Sequence, residues 1–174
     1  MERLIWGCGD GSDLPIMDSS AGRLTSAICW ENYMPHLRSY YYDAQPDFYC
    51  VSTVDDRDVW IPSMQMIALE SRSFVLSSCQ YLERGMIGLD ASEFDAVQGN
   101  EDDVVLVRGG SCIINPMGEI IGEPLYGKEG MVSAEIDPDM RTRGQFDLDV
   151  SGHYARPDIF ELNANVNEQK NIRK

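Results

Sequence analysis

Cys29 is the residue of this sequence best placed to carry out chemistry. It follows the apolar pair Ala27-Ile28 and precedes Trp30-Glu31-Asn32, a segment with the composition of a helix start. A cysteine at a strand-to-helix turn exposes its thiol beside unpaired backbone N–H groups, which stabilise a thiolate and an oxyanion. The alternative is a small buried apolar side chain, the usual role of a cysteine after an apolar strand. The helix-start segment after Cys29 favours the nucleophile.

The residues near Cys29 have candidate roles of their own. The backbone N–H of Trp30 is the predicted donor to the negative charge that develops when a thiolate attacks an electrophilic carbon. Glu31 is a carboxylate favoured by the helix dipole, an acid of the ligand pocket, or both. Cys50 and Cys79 end comparable apolar strands and are predicted to be core residues.

Three other motifs carry weaker signals. Residues 6–12 (Trp-Gly-Cys-Gly-Asp-Gly-Ser) lack the spacing of a phosphate-binding loop and predict a tight turn. Residues 108–111 (Arg-Gly-Gly-Ser) predict a loop whose backbone approaches the sheet or a ligand. Residues 153–158 predict a segment that docks on its own domain or on a second subunit. A catalytic role for His153 is the lesser alternative, since it has no defined serine partner.

The elements that would position Cys29 follow a β-α-β-α-β order. Apolar runs and helical spacing predict strands over 23–29, 48–54 and 74–79, a helix over 32–44, and a second helix from Pro62. The second helix is predicted to bury one face, made of Met64, Ile67, Ala68 and Ser71. This order implies parallel strands with right-handed crossovers. The predicted fold class is therefore mixed α/β, with helices covering a sheet.

The second half of the chain departs from this rhythm. Residues 81–103 are acidic and predict a loop, and residues 111–121 predict a hairpin that turns at 115–118. A last strand is predicted over 131–136, followed by a helix that begins at Asp137-Pro138. Residues 1–162 are expected to belong to one domain and residues 163–174 to form a polar tail.

Composition argues against several classes of function. The 174 residues carry a formal net charge of −15 at pH 7, which disfavours nucleic acid or an anionic membrane as a partner. The apolar runs are far shorter than a membrane span. Five widely spaced cysteines without a C-x-x-C pair, and only two histidines, disfavour a disulfide framework and a metal site. These features predict a cytoplasmic protein without a bound metal.

The region around Cys29 resembles that of the nitrilases, a branch of the carbon–nitrogen hydrolase superfamily. The resemblance rests on Glu2-Arg3, residues 6–12, Gly22-Arg23-Leu24 and Cys29-Trp30-Glu31, and it extends through residues 109–118 to 152–158. It implies an α-β-β-α sandwich in which a Glu–Lys–Cys triad converts a small nitrile to a carboxylic acid and ammonia, through a thioimidate and without a cofactor. It also implies that Cys29 is the nucleophile, that Glu2 helps to organise the site, and that residues 144–160 contribute to a homo-oligomer, either a dimer or a spiral.

The family's general base and its lysine have no counterpart in the segments that carry this resemblance. They are expected upstream of Met1, which makes residues 1–162 the C-terminal portion of a carbon–nitrogen hydrolase domain. The chain alone is then expected to be inactive or nearly so. A non-catalytic subunit that acts in assembly is the second interpretation, and an incomplete gene model is the third. Cyanide hydration, or conversion of a nitrile to an amide, is the alternative within the enzyme class.

Overall fold

Seven strands and three α-helices make up the regular structure of the computed structural model, which describes residues 5–87 and 101–169. The strands are β1 (Ile16–Ser19), β2 (Gly22–Ile28), β3 (Phe48–Thr53), β4 (Phe74–Cys79), β5 (Tyr81–Glu83), β6 (Val105–Ile114) and β7 (Ile120–Tyr126). The helices are α1 (Pro35–Asp43), α2 (Trp60–Ser71) and α3 (Asp139–Asp147). The strands form one sheet in the order β1-β2-β3-β4-β6-β5, and β7 also pairs with β6.

The parallel unit at the centre of the sheet confirms the predicted β-α-β-α-β order. Strands β2, β3 and β4 pair in parallel, with α1 and α2 as the crossovers. Pro35 opens α1, where its missing N–H leaves no hydrogen bond unmade. Helix α2 begins at Trp60, two residues before the predicted start at Pro62. The mixed α/β fold class is confirmed.

The hydrophobic core lies on the face of the sheet covered by α1 and α2. The strand register aligns Ala27, Val51 and Ser77 across β2, β3 and β4, and all three are buried. The predicted face of α2 (Met64, Ile67, Ala68 and Ser71) is buried against them, as the spacing indicated. Full burial of one large apolar side chain is worth about 1.5–3 kcal/mol, so each such residue on this face adds an amount of that order to the stability.

The opposite face of the sheet is only half-buried in the described part of the chain. Its central row contains Ser26, Cys50 and Leu76 from β2, β3 and β4. Next to this row Ile28 is 62% exposed. Residues 131–136 were predicted to be a strand, but they form none. Met131 and Val132 instead border a cleft together with Leu76. The segment therefore lies across this face of the sheet, and its side chains alternate between the sheet and solvent without strand pairing.

The β6–β7 hairpin confirms the predicted turn and corrects two predicted loops. Residues 108–111 lie inside β6 rather than in a loop. The close backbone approach predicted there is to the sheet, because a Cβ on Gly109 would lie 2.7 Å from the Leu125 carbonyl oxygen. Tyr81–Glu83, assigned to a loop by its polar neighbours, is strand β5 because it pairs with β6. The rest of that predicted loop includes residues 88–100, which lie outside the described residues.

The last helix begins close to its predicted start. Helix α3 opens at Asp139, and the Asp137 carboxylate accepts a hydrogen bond from the Asp139 N–H at 3.0 Å. Asp137 therefore satisfies one of the N–H groups that a helix start leaves unpaired. None of the helices in the described ranges is long and apolar enough to cross a bilayer.

Candidate active site

Cys29 lies at the point where β2 ends and a short 3-10 helix (Cys29–Tyr33) begins. Its φ angle is +48°, in the left-handed region that residues other than glycine rarely adopt. Such a conformation costs about 1–3 kcal/mol and persists only where the surroundings enforce it. The turn leaves the Cys29 side chain half-buried instead of completing the buried row of β2. The predicted strand-to-helix turn is thus present, in a sharper form than expected.

Two side chains of the 3-10 helix hold this turn. The Glu31 carboxylate accepts a hydrogen bond from the Ile28 N–H at 2.7 Å. The Asn32 amide, 1% exposed, donates to the carbonyl oxygens of Cys29 and Ala27 at 2.8 and 3.3 Å. Glu31 therefore has the local role expected at a helix start. Asn32 is a site residue that sequence reasoning missed, since a single asparagine in a polar segment gives no distinctive signal.

The Cys29 thiol is hydrogen-bonded to the next strand of the sheet. The Thr53 hydroxyl, at the end of β3, donates to the Cys29 Sγ at 3.2 Å. The same hydroxyl oxygen accepts a hydrogen bond from the Asp55 N–H at 2.8 Å. Because β2 and β3 are parallel and Ile28 pairs with Ser52, the residues that follow each strand meet at one edge. Its position at the end of a predicted parallel strand was the signal that could have identified Thr53.

A charged cluster fixes the side chain of Trp30. The Trp30 indole N–H donates to the Asp55 carboxylate at 2.8 Å, and the Arg57 guanidinium lies 5.3 Å from the centre of the indole ring. Arg57 also donates two hydrogen bonds to the Asp55 carboxylate, at 2.7 and 2.5 Å. The hydrogen bonds from Arg57 lower the pKa of Asp55 against the opposing effect of burial, and the hydrogen bond from the Trp30 indole lowers that pKa further. Asp55 and Arg57 were not predicted as site residues.

Three of the other cysteines, Cys50, Cys79 and Cys112, have environments that favour the protonated thiol. Burial raises the pKa of Cys79 and of Cys112 to about 11, and it raises the pKa of Cys50. The prediction of a core position is confirmed for Cys79, whereas Cys50 is only half-buried on the open face of the sheet. Cys8 is exposed. All five thiols are free of disulfides.

The remaining predicted site residues lie apart from this arrangement or outside the described chain. Glu2 lies outside the described residues. Within residues 6–12, the Asp10 carboxylate accepts a hydrogen bond from the Ser12 N–H, as a tight turn requires. His153 packs against Tyr154 in an exposed turn, so its segment does not dock on its own domain, and docking on a second subunit stays a prediction.

Among the described residues no lysine is hydrogen-bonded to the Cys29 thiol, and no metal cluster is found. Lys128, the one lysine in that part of the chain, lines a cleft of about 230 Å³ beside Cys79 and Ser111, and Cys29 is not among the lining residues. Within residues 5–87 and 101–169, no three His, Cys, Asp or Glu side chains converge on a point that could hold a metal.

Comparison with protein families and curated proteins gives consistent matches. Residues 1–144 match the model of the carbon–nitrogen hydrolase family. The chain is 49% identical over 161 residues to a nitrilase of Bradyrhizobium diazoefficiens, covering 92% of this chain and 49% of that protein. It is 47% identical over 173 residues to an arylacetonitrilase of Trametes versicolor, covering 93% of this chain and 54% of that protein. The chain therefore spans about half the length of the curated relatives it matches.

Solved structures share the fold at lower sequence identity. A carbon–nitrogen hydrolase from Helicobacter pylori superposes with a TM-score of 0.69 at 16% identity, covering 91% of this chain and 54% of that one. The NitFhit protein of C. elegans gives a TM-score of 0.73 at 19% identity, covering 98% of this chain and 38% of that one. The fold is thus that of the nitrilase superfamily, as the resemblance implied.

The Asp55 cluster yields a prediction about stability and pH. Asp55→Asn should lower the free energy of unfolding at pH 7 by about 1–3 kcal/mol, because the Arg57 and Trp30 donors lose a charged acceptor. The pKa of Asp55 is lowered by folding, so this stabilisation is present above the unfolded value of about 3.9 and is lost as pH falls through the folded value. Urea unfolding should therefore show a gap between wild type and variant that narrows below about pH 4.

Asp43, an exposed carboxylate at the end of α1, provides the matched control. Asp43→Asn should leave the free energy of unfolding nearly unchanged at every pH, as expected of an exposed surface position. A gap for Asp55→Asn that stays constant on acidification would contradict the assigned role of the carboxylate.

Proposed function

The chain belongs to the carbon–nitrogen hydrolase family, and from this premise we propose that Cys29 is the nucleophile of a nitrilase that converts a nitrile to a carboxylic acid and ammonia. One observation carries the proposal. In a chain that matches this family over residues 1–144, Cys29 sits in a left-handed turn with its thiol hydrogen-bonded to Thr53. That geometry distinguishes Cys29 from the four other thiols, none of which has a φ in the left-handed region.

The proposed reaction begins with attack of the Cys29 thiolate on the nitrile carbon. A C–S bond forms, one C–N π bond breaks, and the nitrogen takes up a proton to give a thioimidate. Water then adds to the carbon, the C–N bond breaks, and ammonia leaves a thioester on Cys29. A second water cleaves the C–S bond and releases the acid. The backbone N–H of Trp30, as distinct from the indole N–H that donates to Asp55, is the proposed donor to the developing negative charge.

Thr53 is the side chain hydrogen-bonded to the Cys29 thiol among the described residues, and neither a general base nor a cationic donor is hydrogen-bonded to it there. Glu2 keeps its proposed role as a site-organising acid by family resemblance. A general base contributes about 10²–10⁴ in rate, and an oxyanion donor about 10²–10³. The 174-residue chain by itself is therefore proposed to turn over nitriles very slowly or not at all.

Formation of an amide is the alternative outcome at the same site. The tetrahedral centre formed from the thioimidate can expel the Cys29 thiolate instead of ammonia, which releases an amide with one water consumed. The same partition applied to cyanide gives formamide, the product of cyanide hydration. Bifunctional nitrilase/nitrile hydratase proteins of Nicotiana tabacum are 43–44% identical to this chain, which supports the amide branch as a second product.

Assembly is a second candidate function, favoured by apolar side chains near the end of the chain. Phe146 is 90% exposed and Phe160 is 77% exposed, an unusual state for large aromatic residues. Both lie within residues 144–160, where the family resemblance places contacts between subunits. A homo-oligomer would cover them, with or without catalysis by this chain.

The five free thiols support a cytoplasmic location, where thiols stay reduced.

The catalytic proposal predicts the behaviour of two proteins. The first is the chain alone, and the second is the chain fused to the portion of the Bradyrhizobium nitrilase that it does not match. With phenylacetonitrile or an aliphatic nitrile, the fusion should release ammonia, whereas the chain alone should release little or none. Cys29→Ala should abolish release by the fusion, because the C–S bond can no longer form.

Cys8→Ala serves as the control, since Cys8 is an exposed thiol without a proposed role. It should leave ammonia release unchanged. A fusion that folds and retains ammonia release after Cys29→Ala would overturn the assignment of the nucleophile. Release by the unfused chain that depends on Cys29 would overturn the proposal that the chain alone is inactive.

The assembly proposal predicts a change in mass. Phe160→Ser should lower the molar mass measured by light scattering, because it replaces an apolar contact with a polar side chain. Met131→Ser is the matched control, since Met131 is 90% exposed, more than Phe160, but lies outside residues 144–160. A monomeric wild-type chain, or an unchanged oligomer in the Phe160 variant, would count against this function.

A further inference from the structure

Thr53 is the residue that connects the Cys29 thiol to the interior of the protein. Its hydroxyl donates to the Cys29 Sγ at 3.2 Å and accepts from the Asp55 N–H at 2.8 Å. Thr53 is 8% exposed, so solvent competes little for either bond. Neither family resemblance nor the spacing of the sequence pointed to this residue.

The surroundings of Thr53 favour a hydrogen bond from its hydroxyl to an ionised sulfur. A hydroxyl oxygen has two lone pairs, and the Asp55 N–H occupies one of them. A Cys29 thiolate has no proton to donate to the other lone pair, so the Thr53 proton is the one that bridges to the sulfur, which lies within hydrogen-bond distance. The Thr53 hydroxyl is therefore the donor whenever Cys29 is ionised.

The residues that orient Thr53 also contact Trp30, the residue that follows Cys29 in the chain. The Asp55 carboxylate accepts from the Trp30 indole, and Trp30 directly follows Cys29 in the chain. Two hydrogen bonds from Arg57 hold the same carboxylate in place. The result is a closed ring of contacts from Cys29 through Thr53 and Asp55 to Trp30, which fixes both the thiol and the backbone that carries it.

We propose that Thr53 is a positioning residue that holds the Cys29 sulfur in one direction and stabilises its thiolate. This inference rests on the proposed role of Cys29 as the nucleophile. A donor hydrogen bond to an ionised acceptor is stronger than one to a neutral acceptor, so it favours the charged sulfur. The bond weakens as the C–S bond forms and the sulfur loses its charge. It strengthens again when the sulfur leaves in the last step.

The experiment measures the alkylation rate of Cys29 by iodoacetamide in the 174-residue chain, by peptide mass mapping over a range of pH. Alkylation forms an S–C bond and releases iodide, and only the thiolate reacts. In Thr53→Val, which keeps the shape but lacks the hydroxyl, Cys29 should react about three- to tenfold more slowly near pH 7, the effect of one hydrogen bond. At high pH, where the thiol is ionised in both proteins, the two rates should converge.

Three controls separate this effect from a general disturbance. Thr53→Ser restores the hydroxyl and should restore the rate near pH 7. Ser52→Ala changes the adjacent exposed residue of β3 and should leave Cys29 unaffected. In every sample, exposed Cys8 should react at an unchanged rate and buried Cys112 should stay protected, which verifies that the fold is intact.

The proposal is overturned if Cys29 in folded Thr53→Val reacts at the wild-type rate near pH 7, or if its rate falls equally at all pH values. Should Thr53→Val expose Cys112, Thr53→Ala takes its place, and loss of the fold in both variants would make Thr53 a structural residue and overturn the proposal as well. Because no nitrile is present, the result is independent of the proposed reaction. A Thr53-dependent Cys29 that forms no adduct with nitriles in the fusion with the Bradyrhizobium nitrilase portion would overturn the proposed function alone.

Discussion

The parallel pairing of β2 with β3 is the constraint on which the site depends. Because both strands run in the same direction, the residues that follow them meet at one edge of the sheet. Cys29 follows β2, Thr53 ends β3, and Asp55 lies two residues beyond. The helices α1 and α2 exist in this arrangement as the crossovers that return the chain to the same edge. Core packing on the helical face therefore fixes the register, and the register fixes the distance between sulfur and hydroxyl.

The left-handed turn at Cys29 shows how the site depends on interactions around it. A positive φ at a cysteine is unfavourable by itself, so the turn requires compensating contacts. The Glu31 carboxylate accepts a hydrogen bond from the backbone N–H that precedes the turn, and the buried Asn32 amide donates one to the Cys29 carbonyl oxygen. The Asp55 cluster then fixes Trp30 from outside the turn. The same contacts that make the turn possible leave the thiol half-exposed, which is the state that a nucleophile requires.

The sequence predicted the elements better than the contacts between them. Cys29 at a strand end, Pro35 at a helix start and the buried face of α2 are local features, and all three could be read from residue types and periodicity. The predicted strand over 131–136 was wrong because the side chains of a segment lying across a sheet face alternate in burial just as those of a strand do. The predicted loop over 108–111 was wrong because two consecutive glycines are typical both of a loop and of a distorted strand. Thr53 and Asp55 became site residues only through the register of β2 and β3, which no local pattern specifies.

The most direct test of the account is to identify the sulfur that carries substrate. The chain, fused to the unmatched portion of the Bradyrhizobium nitrilase, would be quenched with acid during turnover of phenylacetonitrile, and its cysteine peptides would be mapped by mass spectrometry. We expect a phenylacetyl or thioimidate adduct on Cys29, with Cys8, Cys50, Cys79 and Cys112 unmodified. An adduct on any of those four sulfurs, with Cys29 free, would contradict it.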